Sequence, residues 1–86
     1  MVHVDITCDL MEVDETDLVW TFLDEARDPS IIWPGAIVLA GDEDVSAVAE
    51  VVDIVEKSPG RIVHLRVLPG PIEAYAELVH RALTDE

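Results

Sequence analysis

Residues 47–68 read AVAEVVDIVEKSPGRIVHLRVL, two segments rich in β-branched residues on either side of a Pro59-Gly60 pair. Proline fixes φ and glycine readily adopts a positive φ, so this pair is typical of the centre of a type II turn. Apolar and polar residues alternate cleanly after the turn, which is the pattern of a half-buried strand. The sequence therefore predicts a β-hairpin with strands over residues 47–56 and 61–68.

The turn is compatible with two registers of this hairpin. A two-residue loop at residues 59–60 pairs Asp53 with Arg66, whereas a four-residue loop over residues 57–60 pairs Asp53 with His64. Because the registers differ by two residues, the same side chains share a face in both. Asp53 meets a basic group in either case, and such a cross-strand pair contributes about 0.2–1 kcal/mol.

Two further strands are predicted before the hairpin. Residues 2–10 (VHVDITCDL) alternate with a period of two, which places Cys8 on the apolar face. The same pattern puts four polar side chains on the wetter face: His3, Asp5, Thr7 and Asp9. Residues 36–40 (AIVLA) are wholly apolar and follow a Pro34-Gly35 turn signal, so they predict a short buried strand.

Residues 16–27 fit two structures. Apolar residues at spacings of three and four predict an amphipathic helix, and Asp14 is suited to cap it. The segment Leu18-Val19-Trp20-Thr21-Phe22 is instead rich in β-branched and aromatic residues, which favour a strand over 18–23. We favour the helix and keep the strand as the alternative. Pro29 ends the element in both cases.

Residues 72–84 predict a second amphipathic helix, which begins after Gly70-Pro71. Its apolar side chains recur at spacings of three and four and form one stripe: Ile72, Tyr75, Ala76, Val79 and Leu83. We expect this stripe to pack on a sheet.

Together these elements predict one α+β domain over residues 1–86, because so short a chain supports a single core. We expect an antiparallel sheet of about four strands, packed by the C-terminal helix. If residues 18–23 form a strand, the sheet gains a fifth strand and becomes an open SH3-like barrel with a terminal helix.

The charge balance restricts the partners. Nineteen Asp and Glu against five Lys and Arg give a formal charge of −14. Nucleic-acid affinity depends on cations that neutralise phosphates, so direct nucleic-acid binding is not expected. A protein partner with a basic surface fits this charge better.

The composition also indicates where the chain acts. A single cysteine excludes an intramolecular disulfide framework, and the N-terminal residues lack the pattern of a signal peptide. No segment approaches the roughly 20 apolar residues of a membrane helix. We therefore expect a cytoplasmic protein without membrane contact. Scarce Lys beside Arg, with abundant Ala, Val and Asp, indicates a GC-rich bacterial genome.

Chemistry-bearing residues do not form a recognisable set. A metal site would draw on His3, Asp5, Asp42 and Asp44, but zinc sites normally take three or four ligands from several elements. The Gly41-Asp42-Glu43-Asp44 loop lacks the ligand spacing of an EF-hand. Carboxylates raise the pKa of a neighbouring thiol, so Cys8 is expected to be a core residue. We assign no catalytic residue, no metal ligand and no cofactor.

An interaction surface is the remaining candidate. Aromatic side chains rimmed by carboxylates are suited to receive a Lys or Arg from a partner. The residues that would form this surface are Trp20, Ile32, Trp33, Asp42, Glu43 and Asp44. Ile31, Ile32 and Trp33 also follow one another, more apolar surface than one element can bury on one face, and a homodimer would cover it.

The sequence thus predicts a small, acidic, soluble domain, non-enzymatic, that binds a protein or self-associates. A mimic of nucleic acid that occupies the basic groove of a DNA-binding protein is the first alternative. A small metal-binding protein or metal-dependent enzyme is the second.

Overall fold

A computed structural model describes residues 3–58 and 60–79. Within these ranges, five strands form one sheet: β1 (Ile6–Thr7), β2 (Val19–Phe22), β3 (Ile37–Gly41), β4 (Ser46–Glu56) and β5 (Arg61–Val67). The same ranges contain three short 3-10 turns: Leu23–Glu25, Pro29–Ile31 and Ile72–Tyr75.

The sheet is mixed and curled into a half-barrel, with strand order β1-β3-β4-β5-β2. Only β1 and β3 run parallel, and the other neighbours are antiparallel. The prediction of an α+β fold is therefore wrong, because over residues 3–58 and 60–79 the domain is all-β and its helical turns are of the 3-10 type. The predicted strands over 36–40, 47–56 and 61–68 do form, each within one residue of its expected ends.

The hairpin adopts the four-residue register. Asp53 pairs with His64 and Glu56 pairs with Arg61, and the Lys57 amide donates to the Gly60 carbonyl at 2.9 Å. Pro59 lies outside the described residues, so the type II turn stays a prediction. A β-bulge between Val51 and Asp53 then shifts the pairing by one residue.

The helix predicted over residues 16–27 does not form. The Asp14 carboxylate accepts the amides of Thr16 and Leu18 and so closes a turn instead of capping a helix. The chain then runs antiparallel to β5, with Trp20 opposite His64. The strand alternative over 18–23 holds for residues 19–22, because a long-range strand partner outweighs the weak helical preference of this β-branched and aromatic segment.

The C-terminal segment covers the outer face of the sheet around Leu39 and Val48, without the predicted helix over 72–84. Its described part is a 3-10 turn at Ile72–Tyr75 followed by further turns, and residues 80–86 lie outside the description. In a 3-10 turn, residues three apart eclipse each other, so Ile72 and Tyr75 lie on one side. They pack with Val79 against Leu39 and Val48 of the sheet. In the described part of the chain, no helix is long and apolar enough to cross a membrane.

The strand predicted over residues 2–10 shortens to Ile6–Thr7, since its partner β3 ends at Gly41, opposite Thr7. Asp5, expected on the wetter face, is 1% exposed. Its carboxylate Oδ2 accepts the Leu39 amide at 2.8 Å, while its own amide donates to the Leu39 carbonyl at 2.7 Å. The side chain thus supplies an acceptor that the backbone of a longer β1 would otherwise provide.

The two edges of the half-barrel meet around β1. The Thr21 hydroxyl on β2 donates to the Thr7 carbonyl at 2.9 Å, and Ile6 forms a bridge with Ala26 just after β2. The main core lies inside this curve and includes Ile6, Val38, Val51 and Leu65. Its closure therefore depends on the position of β1.

Replacing Asp5 should destabilise the fold. Asp5→Ala leaves the buried Leu39 amide without its acceptor, and such an amide costs about 1–3 kcal/mol. We expect a fall in the melting temperature of about 10 °C, measured by circular dichroism. Asp5→Asn retains an acceptor oxygen and should lose less. Equal losses in the two variants would show that this hydrogen bond is not what stabilises β1.

Two glycines provide a matched test of the turn between β3 and β4. Gly41 has a φ of +139°, and a Cβ there would lie 2.1 Å from the Val45 carbonyl oxygen. Gly35 has a φ of +94° but open space around it. Gly41→Ala should therefore cost at least about 3 kcal/mol, from strain and overpacking together. Gly35→Ala should cost about 1–2 kcal/mol, from strain alone. Urea titration measures both, and comparable losses would contradict the steric explanation.

Candidate interaction surface

The six residues predicted to form an interaction surface lie in separate places. Ile32 is in the core at 5% exposure. Trp33 is 56% exposed and borders a depression next to Ile37 and Leu78. Trp20 borders a different depression on the outer face of β5 and β2. The acidic residues form the turn between β3 and β4. The structure therefore does not bring the tryptophans and the acidic loop together.

The acidic turn has a structural role. The Asp42 carboxylate accepts the amides of Asp44 and Val45 at 2.8 and 2.9 Å. These hydrogen bonds stabilise the ionised carboxylate and lower the pKa of Asp42 from its ordinary value. Oδ1 of Asp42 therefore stabilises the turn itself. Glu43 and Asp44 are exposed beside it.

Trp20 belongs to a row of side chains that crosses the outer face of the sheet. His64 on β5 lies between Trp20 on β2 and Asp53 on β4. His64 Nδ1 is 2.6 Å from Asp53 Oδ1, and His64 Nε2 is 4.0 Å from Asp14 Oδ2. Because Val63 and Leu65 face the core, their neighbour His64 must face outward.

Apolar side chains flank this row. Phe22 packs edge-on against Trp20, with ring centroids 5.7 Å apart and planes at 86°. Val55 pairs with Ile62 on the adjacent strands. Trp20, Val55, Lys57, Ile62 and His64 line a shallow depression of about 330 Å³. We call the outer surface of β4, β5 and β2 around this depression the Trp20 face.

The Trp20 face also carries compensated charge. Arg66 Nη1 lies 3.0 Å from Glu50 Oε1, and His64 Nδ1 lies 2.6 Å from Asp53 Oδ1. A third cross-strand pair, Arg61 with Glu56 at 3.2 Å, has the strand parity of Val63 and Ile54 and so lies on the other side of the sheet. Of the four Lys and Arg within the described ranges, Lys57 and Arg66 are on the Trp20 face. The rest of the described surface carries most of the acidic residues.

Catalytic and metal-binding arrangements find little support. The described residues contain no group of three His, Cys, Asp or Glu side chains that could hold a metal ion, and of the residues named for such a site Asp5 is buried against Leu39. The His64–Asp53 pair could orient a general base, but the depression beside it is lined by no Ser, Thr or Cys in the part of the chain described.

Comparisons with protein families, with curated proteins and with solved structures gave no match.

Four residues of the Trp20 face were not predicted: Phe22, Val55, Ile62 and His64. The alternation over residues 61–68 already places Ile62 and His64 on one face, and the four-residue register places Asp53 beside them. The missing step was the strand at residues 19–22, which sets Trp20 and Phe22 next to this face.

Cys8 lies in the core, as the sequence predicted. We expect its buried thiol to lower the free energy of unfolding at alkaline pH. Burial, with smaller contributions from Asp42 and Asp9, raises the pKa of its thiol from 9.0 to about 11. The unfolded thiol ionises first, so this stability is fully present below pH 9 and is lost as the pH rises to about 11.

A two-unit difference in pKa between the folded and unfolded thiol changes the free energy of unfolding by at most about 3 kcal/mol. Urea titrations of the wild type and of Cys8→Ala at pH 8 and pH 10.5 measure it, because all other titrating groups are common to both proteins. The loss between the two pH values should be smaller in the variant, and equal losses would refute this role for Cys8.

Proposed function

We propose that this chain is a non-enzymatic protein-interaction domain and that the Trp20 face is its binding surface. The observation that carries the proposal is a 38% exposed tryptophan on a regular sheet surface, flanked by aliphatic side chains and by the Asp53–His64 and Glu50–Arg66 pairs. Tryptophan is enriched among the residues that contribute most to binding energy at protein interfaces.

The geometry around Trp20 reduces the cost of binding. Phe22 contacts its indole edge-on, and the sheet backbone fixes both residues. An aromatic side chain that is already oriented loses little conformational entropy when a partner covers it. In protein interfaces, the residues that contribute most to binding energy are surrounded by contacts that exclude water. Val55 and Ile62 lie where they can provide such contacts around Trp20.

The exposed acidic turn supports the proposal less. A partner with a basic surface would meet Glu43 and Asp44 there, but Asp42 is already hydrogen-bonded within the turn. Among the described residues of this turn, Val45 is the one large apolar side chain. Exposed charges alone contribute more to association rate than to affinity.

Site-specific photo-crosslinking in the cells that produce the protein tests this proposal. A photoreactive residue at position 57, at the rim of the Trp20 face, should crosslink to protein. The same residue at position 45, in the acidic turn, is the matched control and should crosslink far less. Trp20→Ala should weaken the crosslink at position 57 by about 30-fold or more, the effect of losing a strong interface residue.

Circular dichroism would verify that Trp20→Ala remains folded. Equal crosslinking from positions 57 and 45, or a crosslink at 57 that survives Trp20→Ala, would refute the Trp20 face as the binding surface.

A further inference from the structure

We infer that two copies of this chain form a symmetric dimer through the end of β4, where residues 53–57 of the copies pair as antiparallel strands and join the two sheets. The inference does not depend on the Trp20 face as a binding surface. It is carried by the direction of the backbone groups at a sheet edge and by the order of side chains along one short segment.

The strand β4 continues past the neighbour on one of its sides. On the β3 side, Val51 donates to the Ala36 carbonyl at 2.9 Å and accepts the Gly35 amide at 2.7 Å. Within residues 3–58 and 60–79, no backbone hydrogen bond follows Val51 on that side. The other side of β4 stays paired with β5 as far as Glu56. The last part of β4 is therefore an edge of the sheet.

The alternation of the strand determines which backbone groups face this edge. The Lys57 amide donates across the hairpin, toward β5. Successive residues of a strand direct their backbone groups to opposite sides, so Val55 also faces β5, whereas Ile54 and Glu56 face the edge. Buried backbone groups rarely lack a partner, so these two amides and two carbonyls face water in a single chain. Such an edge is a template for a further strand.

The side chains of the same segment have a self-complementary order. Asp53, Val55 and Lys57 alternate with the inward-facing residues and so lie on the outer face. An acidic residue stands two positions before Val55, and a basic residue stands two positions after it. The Asp53 side chain is 52% exposed, and Lys57 is exposed as well. Both charges are therefore accessible to a second strand at this edge.

A twofold axis perpendicular to the sheet brings these features together. With the axis between the Val55 residues of the two copies, Asp53 of each copy stands opposite Lys57 of the other. Ile54 of each copy then lies opposite Glu56 of the other, and their edge-facing amides and carbonyls exchange four hydrogen bonds. Opposite charges across neighbouring strands stabilise a sheet, and isologous contacts of this kind are the commonest in homodimers.

The charges select this register over its neighbours. A slip of two residues in one direction puts Asp53 opposite Val55 of the second copy and leaves Lys57 without its carboxylate. A slip in the other direction puts the Glu56 residues of the two copies opposite each other, and like charges in that position destabilise a sheet. A slip of one residue turns the edge-facing backbone groups out of phase.

The dimer is weak because the interface is short. Each chain has a formal charge of −14, and only one strand end of each copy is covered. Such an interface lies at or below the small end of the usual range, about 1,200 Å² in total, so we expect a dissociation constant that is micromolar or weaker. Since the axis is perpendicular to the sheet, the Trp20 faces of both copies lie on the same side and are presented together.

Two substitutions of Glu56 test the backbone pairing. Glu56→Pro removes the edge-facing amide, whereas Glu56→Ala keeps it, and both remove the carboxylate. Sedimentation equilibrium should show self-association about tenfold weaker or more for Glu56→Pro than for Glu56→Ala, because each dimer loses two hydrogen bonds. Circular dichroism would verify that both variants are folded.

Amide hydrogen exchange tests the same pairing in the wild type. The Ile54 and Glu56 amides should exchange rapidly at micromolar concentration and gain protection as the concentration rises to millimolar. The Val55 amide, which faces β5, should be protected at both concentrations.

An exchange of charges tests the register. Lys57→Asp sets two carboxylates opposite each other twice in the dimer and should weaken association at least tenfold. Adding Asp53→Lys to this variant restores opposite charges and the net charge of the wild type, so association should recover. Arg27→Asp changes the net charge as much as Lys57→Asp, but the Arg27 amide bonds to Asp5, away from this edge. It should weaken association far less.

The outcomes distinguish this inference from the proposed function. A wild type that stays monomeric at millimolar concentration, equal association of the two Glu56 variants, unchanged exchange of the Ile54 and Glu56 amides, or no recovery in the double variant would overturn the dimer. The photo-crosslinking described above replaces Lys57 and so weakens this pairing. It therefore reports on the Trp20 face, and either conclusion can fail while the other stands.

Discussion

The hydrogen bond from the Leu39 amide to the Asp5 carboxylate, at 2.8 Å, holds the parallel edge of the sheet. Two residues of parallel pairing are too few to fix β1 by themselves. With β1 held there, Ile6 reaches the core, the Thr7 carbonyl meets the Thr21 hydroxyl, and the Asp5 carbonyl accepts the Arg27 amide. One buried carboxylate thus positions the segment that joins the two edges of the half-barrel.

Local signals predicted the hairpin, and long-range contacts decided the elements that were predicted incorrectly. Residues 47–56 and 61–68 carry their own turn and strand pairing, so their register is a short-range property. Residues 19–22 become a strand only because β5 offers its free edge some forty residues later. Asp5 illustrates the same limit, since its alternation predicts an exposed residue and only the amide of Leu39 explains a buried one.

Some of the acidic residues stabilise turns in addition to carrying surface charge. Asp14, Asp28 and Asp42 each accept hydrogen bonds from backbone amides two to four residues later. The pKa of all three carboxyl groups is lowered, at Asp14 and Asp28 first by the hydroxyls of Thr16 and Ser30 and then by these amides, and at Asp42 by the amides. A short acceptor side chain is what tight turns require. Part of the negative charge therefore specifies chain reversals, which concentrates it in the loops and leaves the strands β4 and β5 to carry paired charges.

The β-bulge between Val51 and Asp53 is what aligns these paired charges. In the hairpin register of Asp53 and His64, an uninterrupted strand would place Val51 opposite Arg66 on the outer face and turn Glu50 toward the core. The extra residue in the bulge shifts the alternation of inward and outward side chains by one position. Val51 therefore stays fully buried, and Glu50 pairs with Arg66 on the outer face. The sequence carries this signal, because the alternation over residues 47–51 and that over 53–56 differ by one position. A bulge is thus the requirement for burying Val51 and Ile54 on one face, and the position of Glu50 and Asp53 on the other face is its consequence.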